Sequence, residues 1–211
     1  MPDFAFEDAQ KGLVVGIDEA GRGPWAGPVV AGAVVFLTRD VDDFLLSNLN
    51  DSKKLSAKKR DILYEKLCLA REEGKILLGI GEASVEEIDQ LNILQATFLA
   101  MQRAVKALPR EPDFALVDGN QKPRGLECPC QTLVKGDARS YSIAAASIVA
   151  KVYRDRLMSV LAKDYPMYGF EKNAGYGTKL HIEGLKQYGA VLGVHRLSYR
   201  PVAEIVVQKA S

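Results

Sequence analysis

The chain has 211 residues, 47% hydrophobic and 26% charged, with 18 glycines and 9 prolines. This usage is globular and excludes collagen, coiled coil and bulk disorder, and the length suits one domain with a sizeable core. With 28 basic against 27 acidic residues the net charge is +1, so any anion-binding face must be a local patch rather than the whole surface.

Leu13–Asp18 is a short apolar run that reads as a buried strand, and Val29–Leu37 reads as a second. Gly21-Arg22-Gly23-Pro24 between them cannot continue a ladder and must turn. A polar loop is expected over 38–54. Ser56 caps a helix with Leu63, Leu67 and Ala70 on one face and Gly74 as its stop. Lys75–Ala83 is a third strand. Ser84 and Glu87 form a capping box; the helix behind it carries Ile88, Leu91, Phe98, Met101 and Val105 and ends before Pro109. Phe114–Asp118 is a fourth strand and Gln131–Lys135 a weaker fifth. A long helix is expected from about Ala138 to Lys163, with Ala146, Val149, Ala150, Tyr153, Leu157, Val160 and Leu161 facing the core and Ser147, Lys151 and Asp155 on another stripe. A last helix is predicted near Thr178–Tyr188. Without a repeat or composition break, strands alternating with helices argue a single α/β domain.

The three cysteines, Cys68, Cys128 and Cys130, are an odd set without a second Cys/His pair to complete a zinc site, so reduced thiols in a cytoplasmic setting are expected. Met1–Gln10 carries acids and no apolar segment, which argues against a signal peptide. The uncharged run Gly23–Thr38 is too short to cross a bilayer, so no membrane partner is expected.

Acids stand where strands end: Asp18-Glu19 closes the first strand, Asp118 the fourth, and Asp137 precedes the long helix. Sites in open α/β sheets form at such carboxyl ends. Four carboxylates with no His or Cys nearby is hard-cation chemistry suited to Mg²⁺ or Mn²⁺, and a cation would relieve their mutual repulsion. Asp118 before Gly119-Asn120 also suits a turn, and Asp137 a helix cap. Neighbours on a strand face opposite ways, so Asp18 and Glu19 serve one site only if the strand ends at Asp18. Gly21-Arg22-Gly23 allows close backbone approach, and Arg22 can grip a phosphate. Asp51–Arg60 holds five cations in ten positions; such a run is either a solvated helix start or a phosphate contact. Gly175-Tyr176-Gly177, with Lys172, Lys179 and His181 around it, suits stacking on a sugar or base, or a tyrosine packed on the core. His181 and His195 read as structural or phosphate-facing.

These segments together resemble bacterial ribonuclease HII: Gly16-Ile17-Asp18-Glu19-Ala20-Gly21-Arg22-Gly23-Pro24, Asp51-Ser52-Lys53-Lys54-Leu55, Val117-Asp118-Gly119-Asn120, Val134-Lys135-Gly136-Asp137, Ala144 through Asp155, Gly175-Tyr176 and His195-Arg196-Leu197-Ser198. The resemblance runs from about Gly12 to Pro201. It implies an RNase H-like fold, a mixed five-stranded sheet flanked by helices with a helical C-terminal extension, forming one domain over 1–211. It implies cleavage of the RNA strand of RNA–DNA hybrids and incision at ribonucleotides embedded in duplex DNA, leaving 5′-phosphate and 3′-hydroxyl ends. The resemblance places the catalytic, metal-holding acids on Asp18, Glu19, Asp118 and Asp137, with two divalent ions, Mn²⁺ or Mg²⁺, about 3.5–4 Å apart. It places the 2′-hydroxyl sensor on Gly21, Arg22 and Gly23 and the junction-sensing tyrosine on Tyr176. Lys53, Ser147, Lys151 and Lys179 are expected to contact substrate and Asp155 to support the site. With 17 residues before Asp18, the extra N-terminal domain of ribonuclease HIII is not expected. A monomer is expected. Two other classes fit parts of the pattern. A non-catalytic hybrid-binding module would not need four intact acids. Another metal-dependent nuclease or phosphotransferase on a related fold would not need Gly21-Arg22-Gly23 beside Asp18-Glu19.

Overall fold

The computed structural model describes residues 2–50, 52 and 55–210. Its elements run α1 (Ala5–Asp8), β1 (Val14–Ala20), β2 (Val29–Phe36), α2 (Asp43–Asn48), α3 (Ala57–Glu72), β3 (Ile76–Ala83), α4 (Val85–Leu91), α5 (Ile93–Lys106), β4 (Phe114–Asp118), β5 (Cys130–Leu133), α6 (Tyr141–Asp164), α7 (Phe170–Asn173), α8 (Lys179–Tyr188) and α9 (Arg200–Ala210), with 3-10 turns at Gly136–Ala138 and Pro166–Tyr168. The chain groups into two compact units. One comprises the residues up to Ala20, Val30–Glu82 and Phe98–Val152; the other comprises Gly21–Val29, Ala83–Thr97 and the chain from Tyr153 on.

The first unit is built on a mixed five-stranded sheet of order β3-β2-β1-β4-β5, as the α/β pattern predicts. β1 pairs antiparallel with β2 and parallel with β4, and β4 pairs parallel with β5. β1 and β2 are buried over nearly their whole length, which is why they read as continuous apolar runs rather than alternating ones. Leu63, Leu67 and Ala70 of α3 pack with Val34, Phe36 and Ile76 of the sheet and with Ala144, Ala145, Ile148 and Val149 of α6 in one core cluster. Two strand glycines admit α6 at close range. A Cβ on Gly32 would lie 2.5 Å from the Ala146 carbonyl oxygen, and one on Gly16 2.2 Å from the Ser142 carbonyl carbon.

Local signals placed most elements. Ser56 accepts from the Lys59 amide, and the Ser84–Glu87 capping box closes in both directions. Three expectations need correction. The loop over 38–54 contains α2, capped by Asp42, whose Oδ1 accepts from the Leu45 amide. The helix expected from Ser84 to Pro109 is broken at Asn92, which has φ +69° and whose side chain then caps α5 through the Leu94 and Gln95 amides. Val160 is 57% exposed rather than in the core, and Met158 and Ala162 are the buried residues of that stretch. No described helix is long and apolar enough to cross a membrane.

Candidate active site

In the first unit, Asp18 and Asp118 owe their meeting to register. Ile17 pairs with Val117 across the parallel β1–β4 ladder, so the next residues along, Asp18 and Asp118, lie side by side where that ladder ends. Asp118 also pairs with Leu133 of β5. Its Oδ1 accepts from the Gly136 amide at 2.7 Å. That bond ties the strand to the 3-10 turn carrying Asp137, entered through Lys135 in a left-handed conformation at φ +56°. Asp137 is half-buried.

β1 continues through Ala20, and Glu19 pairs with Ala31. The strand therefore does not end at Asp18, and alternation alone would turn Glu19 away, yet the charge of Glu19 acts on the Asp18 carboxyl ahead of that of Asp118, which keeps the acids in one cluster. The two remain coupled: the Glu19 amide donates to Asp18 Oδ1 at 2.7 Å.

Asp18 is only 6% exposed. Burial, and then the charges of Glu19 and Asp118, push its carboxyl well above the ordinary range, against hydrogen bonds from the Glu19 amide and the Ser147 hydroxyl. Ser147 is itself buried, with its Oγ 2.7 Å from that of Ser52. The hydroxyl expected to meet substrate is thus turned inward onto Asp18. Arg60 donates to the carbonyls of Ser52 and Leu55. Lys53 lies outside the described residues. Lys151 is half-buried. Among the described residues, no three His, Cys, Asp or Glu side chains are drawn into a closed metal cage. The donor set is nevertheless all-oxygen, and burial with the charges of Glu19 and Asp118 disfavours the Asp18 anion, which fits a hard divalent cation.

The second unit holds the glycine loop and the tyrosine. Gly21 has φ +98°, and a Cβ there would lie 2.0 Å from Arg154 Nε, so only glycine fits. Arg154 and Arg196 are both essentially unexposed and spend their donors on backbone carbonyls. Arg154 reaches Pro28, Ala174 and Ala26 at 2.9–3.0 Å. Arg196 reaches Gly21 at 2.6 Å, Gly27 at 2.7 and 2.9 Å and Arg22 at 3.1 Å. The Tyr199 hydroxyl also donates to the Arg22 carbonyl. Burial lowers the Arg154 guanidinium to about 10, so it stays charged at neutral pH. Asp155, half-buried, opposes that shift by its charge.

Sequence reasoning gave Arg154 no role. The available signal was position: Arg154 falls at helical spacing between buried Ala146, Ala150 and Met158. Gly23 lies against the Tyr176 ring, which a Cβ would meet at 3.3 Å. Arg22 and Gly23 are exposed and Tyr176 is 50% exposed. Lys179 is exposed, 3.9 Å from Glu183. His181 and His195 are wholly buried, so they are structural and do not face phosphate.

Three comparisons bear on this arrangement. Residues 15–202 match the family model described as Ribonuclease HII. The chain is 54% identical over 207 residues to ribonuclease HII of Paramagnetospirillum magneticum, covering 98% of this chain and all of that one. It is 53% identical over 210 residues to ribonuclease HII of Gluconobacter oxydans, covering 100% and 99%. Among solved structures it resembles the ribonuclease H2 from Pyrococcus horikoshii at TM-score 0.76 and 27% identity, over 94% and 99% of the two chains. It shares the fold of Bst-RNase HIII, solved in complex with Mn²⁺, at TM-score 0.72 and 17% identity, over 97% and 73%. Strand-end acids, a glycine loop held by its carbonyls and a match spanning the whole chain agree, and the protein is a ribonuclease H of the ribonuclease HII family.

Proposed function

We propose that the protein hydrolyses the RNA strand of RNA–DNA hybrids and incises duplex DNA at embedded ribonucleotides, leaving 5′-phosphate and 3′-hydroxyl ends. The observation that carries the reading is the register-paired Asp18 and Asp118, with a buried carboxylate that its acidic neighbours disfavour as an anion. Asp18, Glu19, Asp118 and Asp137 are the residues that would hold divalent cations, two in the reading taken from the family. Bound Mg²⁺ or Mn²⁺ supplies Lewis acidity for water activation and for charge on the leaving 3′-oxygen.

The chain's own residues bind and orient. Ser147 holds Asp18 by its hydroxyl, so its role is to support an acid rather than to touch substrate. The carbonyls of Gly21 and Arg22 are taken by Arg196 and Tyr199. Across trans peptides the following amides, of Arg22 and Gly23, point the opposite way. That disposition suits backbone sensing of a ribose 2′-hydroxyl, the group that separates RNA from DNA. Tyr176 offers an exposed ring against Gly23 for stacking on the adjacent deoxyribose. Arg22, Lys53, Lys151 and Lys179 would take phosphates, giving steep salt dependence despite the near-neutral net charge. Asp155 balances the buried Arg154. The protein would act as a cytoplasmic monomer with one type 2 ribonuclease H domain over residues 1–211.

The test is a duplex bearing one ribonucleotide, incubated with Mg²⁺, Mn²⁺ or EDTA, with analysis of the product ends. Cation-dependent incision at the ribonucleotide is expected. Binding without cleavage would indicate a non-catalytic module, and cleavage indifferent to the ribonucleotide would indicate another nuclease of the superfamily.

A further inference from the structure

Two buried imidazoles remain unused by the reading above. His195 Nδ1 accepts from the Val191 amide at 2.9 Å, so its proton sits on Nε2. That nitrogen lies 3.1 Å from Nε2 of His181, which must therefore be the acceptor. The His181 proton is then on Nδ1, which lies 3.0 Å from the Tyr176 carbonyl oxygen and donates to it. Each contact fixes the next, so the chain Val191 N–H, His195, His181, Tyr176 C=O has one consistent assignment, with both rings neutral.

The surroundings enforce it. Trp25, Tyr168 and Phe170 box the pair, with ring centroids 4.6–5.9 Å from the imidazoles. Burial lowers both imidazoles, His195 to about 4. A second proton on His181 would set two N–H groups against each other across 3.1 Å, and one on His195 would set Nδ1–H against the Val191 N–H across 2.9 Å.

The chain ends on the residue whose ring is exposed. The Tyr176 carbonyl also accepts from the Thr178 amide at 2.8 Å, and the Tyr176 amide donates to Asn173. At its other end the chain is anchored to the glycine loop. His195 forms an antiparallel bridge with Ala26. Around it the Gly27 amide donates to the Val194 carbonyl and the Arg196 amide to that of Trp25, both at 2.8 Å. The adjacent Arg196 side chain grips Gly21 and Arg22. One dipeptide, His195-Arg196, thus grips the glycine loop directly and reaches Tyr176 through His181.

We infer that His181 and His195 are positioning residues: their single-tautomer chain sets the height of Tyr176 relative to the Gly21–Gly23 loop, and so the spacing between the 2′-hydroxyl sensor and the stacking ring. The inference rests on the roles proposed above for Tyr176 and the glycine loop.

Two measurements test it. In the full-length protein at neutral pH, long-range proton–nitrogen NMR of the imidazoles is expected to show His181 protonated at Nδ1 only and His195 at Nε2 only. Any other tautomer, or a cationic ring, overturns the chain. The second measurement is the ratio of kcat/KM on a single embedded ribonucleotide to kcat/KM on a continuous hybrid. His181→Phe, which lacks the donor, should lower that ratio about tenfold. His181→Asn, whose amide nitrogen can replace Nδ1, should restore most of it. In a Tyr176→Ala background, His181→Phe should change the ratio no further. If Tyr176→Ala lowers the ratio and His181→Phe does not, positioning is wrong. If Tyr176→Ala itself leaves the ratio unchanged, the stacking role fails, and the positioning inference is overturned with it even where the tautomers are as assigned. Where His181→Phe does not fold, wild-type NMR and the Asn variant still decide.

Discussion

The Gly136 amide donates to Asp118 Oδ1 at 2.7 Å, so the acid closing β4 also anchors the turn that carries Asp137. Asparagine keeps a carbonyl oxygen at that position and alanine does not. Asp118→Asn should therefore retain the fold and hybrid binding while abolishing cleavage. Asp118→Ala should lose cleavage and in addition about 1–3 kcal/mol of stability, from an orphaned amide. Urea unfolding and gel-based cleavage of both variants check the difference. Near-normal cleavage by Asp118→Asn would remove it from the site.

Asp18 carries a charge that burial and two acidic neighbours disfavour. In EDTA, Asp18→Asn should raise the melting temperature, because it removes the repulsion without removing volume. Wild-type protein should gain melting temperature on addition of Mn²⁺, by mass action on a folded-state site, and the variant should gain much less. A variant that melts lower in EDTA and responds fully to Mn²⁺ would contradict the electrostatic reading of the cluster.

Ser147 stands behind Asp18 and is tied to Ser52. Groups that orient a metal ligand typically cost about 10–100-fold in metal affinity or activity when removed. Ser147→Ala should fall in that range, with the loss largely recovered at high Mn²⁺ concentration. A loss in substrate KM at saturating Mn²⁺ would instead restore Ser147 as a substrate contact.

Arg196 spends its guanidinium on the carbonyls of Gly21, Arg22 and Gly27, with one further contact to Pro28. Lysine keeps the charge but cannot span that set. Arg196→Lys should cost several kcal/mol, at about 1–3 kcal/mol for each carbonyl left unpaired. Tyr199→Phe removes a donor to Arg22 and an acceptor from Arg196 but leaves both with another partner, and should cost about 1 kcal/mol. Chemical unfolding distinguishes the two, and equal costs would argue against the clamp.

Legibility followed the range of the interactions. Ser56, Ser84 with Glu87, and Gly74 announced helix ends because a cap is a local bond. Asp18 and Asp118 were visible as acids at strand ends. Their adjacency depends on β1 and β4 pairing in parallel across about a hundred intervening residues, which no local pattern encodes. Asn92 was hidden because apolar spacing continues through it while its backbone leaves the helical region. No local signal marked α1, α7 or α9, the first two being four residues long. Arg154 was hidden because a charge in an apolar stripe reads as surface. Its burial makes sense only once the carbonyls of Ala26, Pro28 and Ala174, distant in sequence, are seen converging on it.

The His181–His195 pair gives the fold a defined acid sensitivity. His195 is wholly buried and lowered from 6.5 to about 4, first by desolvation and then by His181. An imidazole in the unfolded chain takes up its proton near 6.5, so between pH 6.5 and about 4 the unfolded state binds more protons than the folded one. Stability is therefore fully present above pH 6.5 and is lost as pH falls through that window, by about 3 kcal/mol for His195. Asp18 acts in the opposite sense, since its carboxyl is raised in the folded state and protonation there relieves repulsion. Subtraction isolates the imidazole: unfolding free energies of wild type and His195→Asn, measured from pH 7 to pH 4, should converge as the pH falls. Parallel curves would mean that His195 titrates in the fold as it does in the unfolded chain, near 6.5, so that its surroundings do not hold it neutral.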